Sequence, residues 1–583
     1  MQEIKISVQN QKWSSKNITQ EEINYIINEF QVSEVLAQII IQKNIPFESL
    51  ADFLNPKLKN LISDPNELHD MPKAVMRIIT AIKQKQRITI WGDYDVDGAT
   101  STALFLKYFR AIGADVDYYI PDRIKEGYGP NKEGIEKLVK DGSNLIITVD
   151  CGTLSHEILE VFKDKVDIIV VDHHISDITL PACYALINPN RFDEKSPYKY
   201  LAAVGVVFLV LVALNKQLKQ EKQFATNLPD LMMYLDIVAL GTVCDVVPLL
   251  GLNRAFVAQG LKVMASFYNI GLKELSKVAN LNKAPTSYDL GYILGPRINA
   301  GGRVGLSSLG AEMLATDNVA NAQNIAIKLD EFNKERRLLE QEMIEDAIQF
   351  CEKSSDLDDV IIAYSENWHP GIIGIVAGRL KEKYNRPVAI ISIKDNIGKA
   401  SCRSVNGFDF GSAIIEAKNS NIVLQGGGHA MAAGFSIELL QIANLKKFLD
   451  HKYKEVKAVI EARNIKFYSA KIKADALNFR FIDEIAKLSP YGAANSEPKF
   501  LLENIKVIKV NIIGEFHLKL ILISESSRST IKATAFKVIG NELGDFLLNS
   551  IGKVIDIIGY VRPNYWNGNV TIDFIVEDVI FSR

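Results

Sequence analysis

Four short apolar runs, each breaking off at an acidic or histidine-bearing cluster, constrain this chain more than any other feature. Ile88-Thr89-Ile90-Trp91 leads to Asp93-Tyr94-Asp95-Val96-Asp97-Gly98, and Leu145-Ile146-Ile147-Thr148-Val149 leads to Asp150. Ile168-Ile169-Val170-Val171 leads to Asp172-His173-His174, and Ile237-Val238-Ala239-Leu240 precedes Asp245. Runs of this kind read as strands of a buried parallel sheet. Ligands of such sheets bind beyond the carboxyl ends of the strands, so four ends carrying Asp and His are expected to converge. Carboxylates gathered in one cleft need cations to balance them. The expectation is therefore a dinuclear metal site for phosphoryl chemistry. Asp95 and Asp97, two apart on a tight loop that Gly98 turns into a helix, can aim at two ions, and Asp150 is placed to bridge them. His173 adds one nitrogen and Asp245 another oxygen, a donor set that suits Mn²⁺ or Mg²⁺ rather than a structural zinc.

At 583 residues the chain exceeds a single core, and three or four domains are expected. From 85 to 250, strands alternate with helical patterns, which implies a parallel α/β sheet. Small helices are expected before it, over Glu21–Phe30, Ser33–Lys43 and from Pro72. Residues 318–352 carry one long helical stripe (Ala322, Ile325, Leu329, Phe332, Leu339, Met343, Ala347, Phe350) that reads as a core face joining two domains. A second α/β segment follows. Short strands at 500–511, 517–524, 531–537, 553–561 and 569–576 then fit an OB-like barrel. The expected organisation is an α/β multidomain protein: an N-terminal helical segment (1–80), a parallel-sheet catalytic domain (81–316), a connecting helix (317–354), a second α/β domain (355–458) and an OB-like β-barrel (459–583).

A net charge of −3 gives no global basic footprint for nucleic acid. Five cysteines without a CxxC pair argue against a disulfide scaffold and fit a reducing cytoplasm. The N-terminal residues lack the apolar core of a signal peptide. Leu201–Leu214 is too short to span a bilayer and reads as a buried helix, so no membrane association is expected. No GxxxxGK[ST] loop is present, which argues against a nucleotide-driven motor.

The ordered set DYDVDG, a lone Asp after a strand, DHH and GTVCDVVPL resembles motifs I to IV of the DHH phosphoesterase superfamily, and within it the RecJ family of single-strand-specific exonucleases. GPRINAGGR (295–303), HPGIIGIVAGRL (369–380), SCRS (401–404), GGGHA (426–430) and PYG with NSEP (490–498) extend the resemblance from about residue 80 to the C-terminus. It implies one metal on Asp95 and Asp150 and another on Asp97, Asp150, His173 and Asp245. Many small-molecule members carry a histidine where this chain has Trp91; Asp93 is then expected to complete the first ion's shell. Asp172 is expected to orient His173, and His174 to contact the scissile phosphate or protonate the leaving oxygen. For Asp122, Arg123 and Tyr128, after the expected strand Val116–Ile120, an ordinary loop role is favoured.

Arg297, Asn299 and Arg303, around Ala300-Gly301-Gly302, read as a phosphate-binding nest. By resemblance, Gly427, Gly428 and His429 of the glycine run join His369, Arg379, Ser401 and Arg403 to grip a 5′ end. In the barrel, Phe516, His517, Phe536, Tyr560, Tyr565 and Trp566 are candidates for base stacking, with Lys519, Lys532, Lys537 and Arg562 near phosphates. The activity implied is metal-dependent 5′→3′ exonucleolysis of single-stranded DNA to 5′-mononucleotides, by a monomer. The implied roles are in recombinational and mismatch repair, alongside a RecQ-type helicase and a single-strand binding protein. A small-substrate phosphoesterase of the same superfamily would lack the barrel, and a decayed binding protein would not keep five site charges.

Overall fold

The computed structural model describes residues 4–123, 125–221, 228–352, 358–463, 465–525, 528–566 and 569–581. The chain divides into two compact units. One comprises Met1–Leu61, Pro248–Ala258 and Asn464–Arg583; the other comprises Ile62–Val247 and Gln259–Arg463.

The larger unit holds two sheets. The first contains β1 (Ile88–Gly92), β2 (Val116–Tyr119), β3 (Leu145–Val149), β4 (Asp167–Val171) and β5 (Ala185–Ile187), all parallel, in the order β2-β1-β3-β4-β5. The strand order reverses between β1 and β3, the crevice where doubly wound sheets hold their ligands. β1 and β3 are buried at every residue, which is why their sequences are near-continuous apolar runs rather than alternating ones. Helix α1 (Val96–Ala111) follows β1, and α2 (Ala203–Leu218) is the expected buried helix.

The run before Asp245 departs from expectation. Residues Leu235–Cys244 form a helix, α3, and not a strand. The segment LDIVALGTVC is apolar and buried over eight of its ten residues. It therefore carries no amphipathic period, and a fully buried helix cannot be told from a buried strand by pattern. Asp245 sits at the carboxyl end of a helix, beside three genuine strand ends.

GPRINAGGR is likewise helical: α4 (Gly295–Val304) is a regular element rather than a nest. Its glycines serve close packing. A Cβ on Gly302 would lie 2.7 Å from the carbonyl oxygen of Tyr94, and one on Gly301 2.9 Å from that of Leu306. The long helix α5 (Val319–Glu352) follows, then β6 (Ile361–Ser365), α6 (Ile373–Tyr384), β7 (Val388–Lys394), β8 (Ile397–Arg403), β9 (Gln425–His429) and β10 (Ala432–Glu438). These strands form the second sheet, ordered β9-β10-β8-β7-β6. The glycine run is the edge strand β9, paired antiparallel to β10. Lacking side chains, it is not recognisable as a strand by pattern.

In the smaller unit, β11 (Phe500–Ile513), β12 (His517–Ser524), β13 (Thr530–Ala535), β14 (Val554–Trp566) and β15 (Asn569–Phe581) run in the order β11-β12-β13-β15-β14, and β14 closes back on β11. β13 and β15 pair in parallel. This is a closed five-stranded OB-like barrel. The N-terminal segment has the expected helices Gln20–Phe30 and Glu34–Gln42, and also two short strands, Lys5–Ile6 and Lys12–Ser14, in a sheet with Ile465–Phe467. Buried Arg254 stitches the unit together by donating to the carbonyls of Phe53, Lys487, Leu488, Ser489 and Pro490. Among the described residues, no helix is long and apolar enough to cross a membrane.

Candidate metal centre and its basic flank

Each acidic side chain is delivered by a local structural reason. Asp95 is the N-cap of α1, its Oδ1 accepting from the Gly98 amide at 3.1 Å. Gly98 is required because a Cβ there would lie 2.5 Å from the Asp93 carbonyl oxygen. Asp97 is fully buried, and its oxygens accept from the amides of Ala203 (2.6 Å) and Val204 (2.9 Å). Those amides open α2, whose N-cap, Ala202, has no side chain able to cap. Asp97 thus caps a helix more than a hundred residues away, where the backbone dipole also favours its charge. Asp150 follows β3 with φ +60, a left-handed conformation that Asp tolerates better than most residues. Its carbonyl accepts from the Tyr128 hydroxyl at 2.9 Å.

The histidines take different partners. His173 Nδ1 lies 3.1 Å from the Leu201 carbonyl, so Nδ1 carries the proton and donates. Nε2 then turns its lone pair towards Asp150 Oδ1 at 3.3 Å and Asp97 Oδ2 at 4.0 Å. Burial, and the charge of His174, hold the His173 ring below its ordinary pKa. A neutral imidazole with a free Nε2 is what a metal ligand requires. Asp172, expected to orient the ring of His173, orients His174 instead. Asp172 Oδ1 accepts from His174 Nδ1 at 2.7 Å and from the backbone amides of His173 (2.7 Å) and His174 (3.2 Å). Leu201, distant in sequence, takes the orienting part for His173. Burial works against charging His174, but its bond and ion pair with Asp172 outweigh burial and raise its pKa.

The side chains form overlapping sets. Asp93, Asp95 and Asp150 offer one atom each within 4.8 Å of one another, as do Asp97, His173 and Asp245, and Asp150, His173 and His174. Burial, reinforced by mutual repulsion, pushes the carboxyl groups of Asp93, Asp97, Asp150 and Asp245 upward. Asp93 Oδ1 and Asp245 Oδ2 are buried without a hydrogen bond. Orphaned anionic oxygens that repel one another are costly in a low dielectric. Divalent cations remove that cost, so the residues fit two ions, one in each acidic set, with Asp150 reaching the second set through His173. Trp91 is fully buried and stands apart from the cluster, its ring seated against Gly134.

A basic flank adjoins this cluster. Gly302 packs on Tyr94, between Asp93 and Asp95. Its neighbour Arg303 donates to the Gly371 carbonyl at 2.9 Å. Burial, together with repulsion from Arg123, Arg336 and Arg403, pushes the Arg303 guanidinium down to about 10. Arg123 lies over the Tyr94 ring at 4.7 Å. Cations crowded in this way are stabilised by an anion. His369 Nδ1 accepts from the Gly371 amide at 3.1 Å. Ser401 and Arg403 line the space left by Gly374, where a Cβ would sit 3.0 Å from Ser401 Oγ and 3.2 Å from an Arg403 nitrogen. Arg303, His369, Ser401 and Arg403 are therefore brought together.

Other expected site residues are engaged elsewhere or stand open. Arg297 is bound to Asp330 (2.9 Å) and the Ile293 carbonyl (2.6 Å). Arg379 faces Glu340 and Glu382. Asn299 is half-buried, His429 is exposed, Gly428 has φ +149, and a Cβ on Gly427 would meet open space. Sequence reasoning does not pick out Arg123, Arg336 or Tyr128 as site residues. For Arg123 and Tyr128 their place after β2 is the available signal, and it favours an ordinary loop role; Arg336 carries no such signal.

Residues 87–242 match the DHH family, N-terminal domain; residues 357–455 match the DHHA1 domain; and residues 468–578 match the RecJ OB domain. The chain is 30% identical to the single-stranded-DNA-specific exonuclease RecJ of Bacillus subtilis (strain 168), covering 98% of this chain and 71% of that protein. It is 35% identical to the RecJ of Escherichia coli (strain K12), covering 88% and 90%. The chain belongs to the RecJ family. A crystal structure of a RecJ in complex with Mn²⁺, from Thermus thermophilus, superposes with a TM-score of 0.80 at 27% identity, covering 98% of this chain and 80% of that one. A second, from the same organism with Mg²⁺, gives 0.75 at 25% identity, covering 98% and 78%. The oxygen-rich donor set of this RecJ-family chain agrees with both metals.

Proposed function

We propose that this protein is a metal-dependent exonuclease that hydrolyses single-stranded DNA in the 5′→3′ direction to 5′-mononucleotides. The observation that carries the reading is the chain of overlapping sets, in which Asp150 and His173 link Asp93 and Asp95 to Asp97 and Asp245, beside a cluster of mutually repelling arginines. In this reading Asp93, Asp95 and Asp150 hold one Mn²⁺ or Mg²⁺, and Asp97, Asp150, His173 and Asp245 the other. When bound, the two ions lower the pKa of a coordinated water and neutralise the phosphoryl oxygens.

The chain's own residues do the rest. Arg303 and Arg403, with Arg123, attract the phosphates of the strand. His369, Ser401, Gly427, Gly428 and His429 form the face that receives the 5′ end and fixes the distance to the scissile bond. Arg297 steadies α4 through Asp330, and Asn299 and Arg379 stand at the margin of that face. His174, whose charged form Asp172 favours against burial, donates its proton to the departing 3′ oxygen. Residues 81–316 act as the catalytic domain, 317–354 as the connection, 355–458 as the substrate-binding domain and 459–583 as a nucleic-acid-binding barrel, with the strands and helices of 1–80 ahead of them. A RecQ-type helicase and a single-strand binding protein, in the cytoplasm, are the proposed partners in repair, with the enzyme acting as a monomer.

The test is digestion of 5′-labelled and 3′-labelled single strands with Mn²⁺ or Mg²⁺, beside Asp150→Ala. Early release of labelled 5′-mononucleotide, lost in the variant, is expected. Turnover of dinucleotides alone would overturn the reading.

A further inference from the structure

Tyr288 and Tyr292 are 56% and 68% exposed, yet their rings are stacked on one another, with centroids 4.8 Å apart and planes inclined by 28°. Single exposed aromatics are common; a pre-stacked pair facing solvent is not needed by the fold. The local structure holds the pair out. A capping box of Thr286 and Asp289 starts the segment. A π-helical stretch, Leu290–Leu294, then widens the helix before it continues as α4, with Leu290 and Leu294 buried. Such π-turns recur at functional sites.

The inner face of this segment is clamped onto the last turn of α3. The Cys244 thiol donates to the Leu290 carbonyl at 3.4 Å. A Cβ on Gly291 would lie 3.5 Å from Val243, and one on Gly295 2.4 Å from Cys244 Sγ. The tyrosines therefore stand on the turn packed against the residues that precede Asp245. The one acid of the segment, Asp289, is buried in its capping box, so no carboxylate of the segment itself repels a phosphate at this surface.

We propose that the Tyr288–Tyr292 pair is a stacking platform for a base of the single strand whose backbone enters the metal centre. The platform rests on the exonuclease reading above. Every base has an aromatic face, so such a platform binds without sequence preference. It would hold the strand beside Asp245 while the arginines hold the phosphates.

The test uses the full chain. Binding of a labelled single strand is followed by anisotropy in EDTA for wild type, Tyr288→Ala, Tyr292→Ala, the double Ala variant and the double Phe variant. The oligonucleotides carry an abasic residue stepped along from the 5′ end. A lost stacking contact weakens binding about 10-fold per base. The double Ala variant is expected to show that loss, and the double Phe variant to retain wild-type affinity. The penalty for an abasic residue at one position should vanish in the double Ala variant. The kcat with Mn²⁺ at saturating strand should stay within about twofold of wild type, because neither residue belongs to the acidic cluster. Unchanged affinity, or an abasic profile identical to wild type, overturns the platform while wild-type digestion leaves the exonuclease reading standing. A wild-type protein that neither binds nor digests single strands overturns both.

Discussion

Asp236 stands at the opposite end of α3 from Asp245, and it gives the protein a pH-dependent weakness that can be measured. Its side chain is 1% exposed. Oδ1 accepts from the Ile237 amide at 2.8 Å, while Oδ2 makes no hydrogen bond. Burial pushes the carboxyl up from 3.8 to about 7, against the smaller pull of the Ile237 and Asn269 amides and of Lys107. Between these two values the folded protein binds more protons than the unfolded chain, so stability falls as pH rises through roughly 4 to 7. At pH 5 the unfolded group is already ionised and the folded one is not. At pH 8 both are ionised, and the folded state carries the full desolvation. The difference accumulated between pH 5 and pH 8 is about two pKa units, or ~2–3 kcal/mol at 1.36 kcal/mol per unit. Asp236→Asn keeps the acceptor for Ile237 and cannot ionise. Calorimetric melts of both proteins in EDTA at pH 5, 6.5 and 8 should show the variant gaining on wild type by that amount towards pH 8, several degrees in Tm. The site carboxylates titrate in both proteins and cancel in the comparison. A difference that stays flat with pH, or shrinks towards pH 8, would refute a buried, ionising Asp236.

Arg254→Met removes five hydrogen bonds, although the Leu488 and Pro490 carbonyls keep a second donor in Asn495, so urea melts should show a loss of about 3–6 kcal/mol. Asp97→Asn should abolish hydrolysis and also lower the metal-free stability measured in thermal melts, by about 1–2 kcal/mol, because one amide oxygen cannot cap α2 as two carboxylate oxygens do. Asp93→Asn should abolish or sharply reduce hydrolysis with no loss of metal-free Tm, since its Oδ1 has no hydrogen bond to lose, and burial and the charge of Asp95 outweigh the pull of the Tyr94 and Asp95 amides and of Arg123. Gly98→Ala drives a Cβ against the Asp93 backbone, which should cost about 1–3 kcal/mol by thermal melting and reduce activity by displacing Asp93.

What could be read from the sequence follows from where each constraint is written. β1, β3 and β4 are legible because a strand buried on both faces is an uninterrupted β-branched run, and their Asp and His residues come directly after it. The barrel strands are legible because alternation, as in His517–Ser524, records one buried and one exposed face. α3 reads wrongly as a strand because complete burial erases the 3.6-residue period. The glycines of α4 suggest a turn, while their use is the approach of Tyr94 and Leu306, residues that only the folded chain brings near. The capping of α2 by Asp97, the support of His173 by Leu201 and the meeting of Arg123, Arg303, Arg336 and Arg403 join distant parts of the chain, and no local pattern encodes them. Of the stacking candidates, the side chains of Tyr565 and Trp566 lie outside the described residues; Phe516 and Phe536 are exposed, and Arg562 is paired with Glu497.

The acidic cluster is divided by what its carboxylates do for the backbone. Asp95 caps α1, Asp97 caps α2, and Asp172 gathers the amides and ring that follow it. For these residues the bonds that complete a helix end or a turn also fix the direction of the carboxylate, so folding itself aims them. Asp93 and Asp245 each keep a buried oxygen without a hydrogen bond, and Asp150 holds a left-handed backbone pinned by Tyr128. Their arrangement is unfavourable until positive charge arrives. A site built in this way has its geometry set before its ions bind, with the repulsion of Asp93, Asp150 and Asp245 held in place by structure that does not depend on the metal. Cation binding then relieves strain instead of organising the loop. Metal should therefore raise the stability of the larger unit while leaving the hydrogen-exchange protection of the first turns of α1 and α2 nearly unchanged relative to their neighbours, because the caps that protect those amides are complete without it.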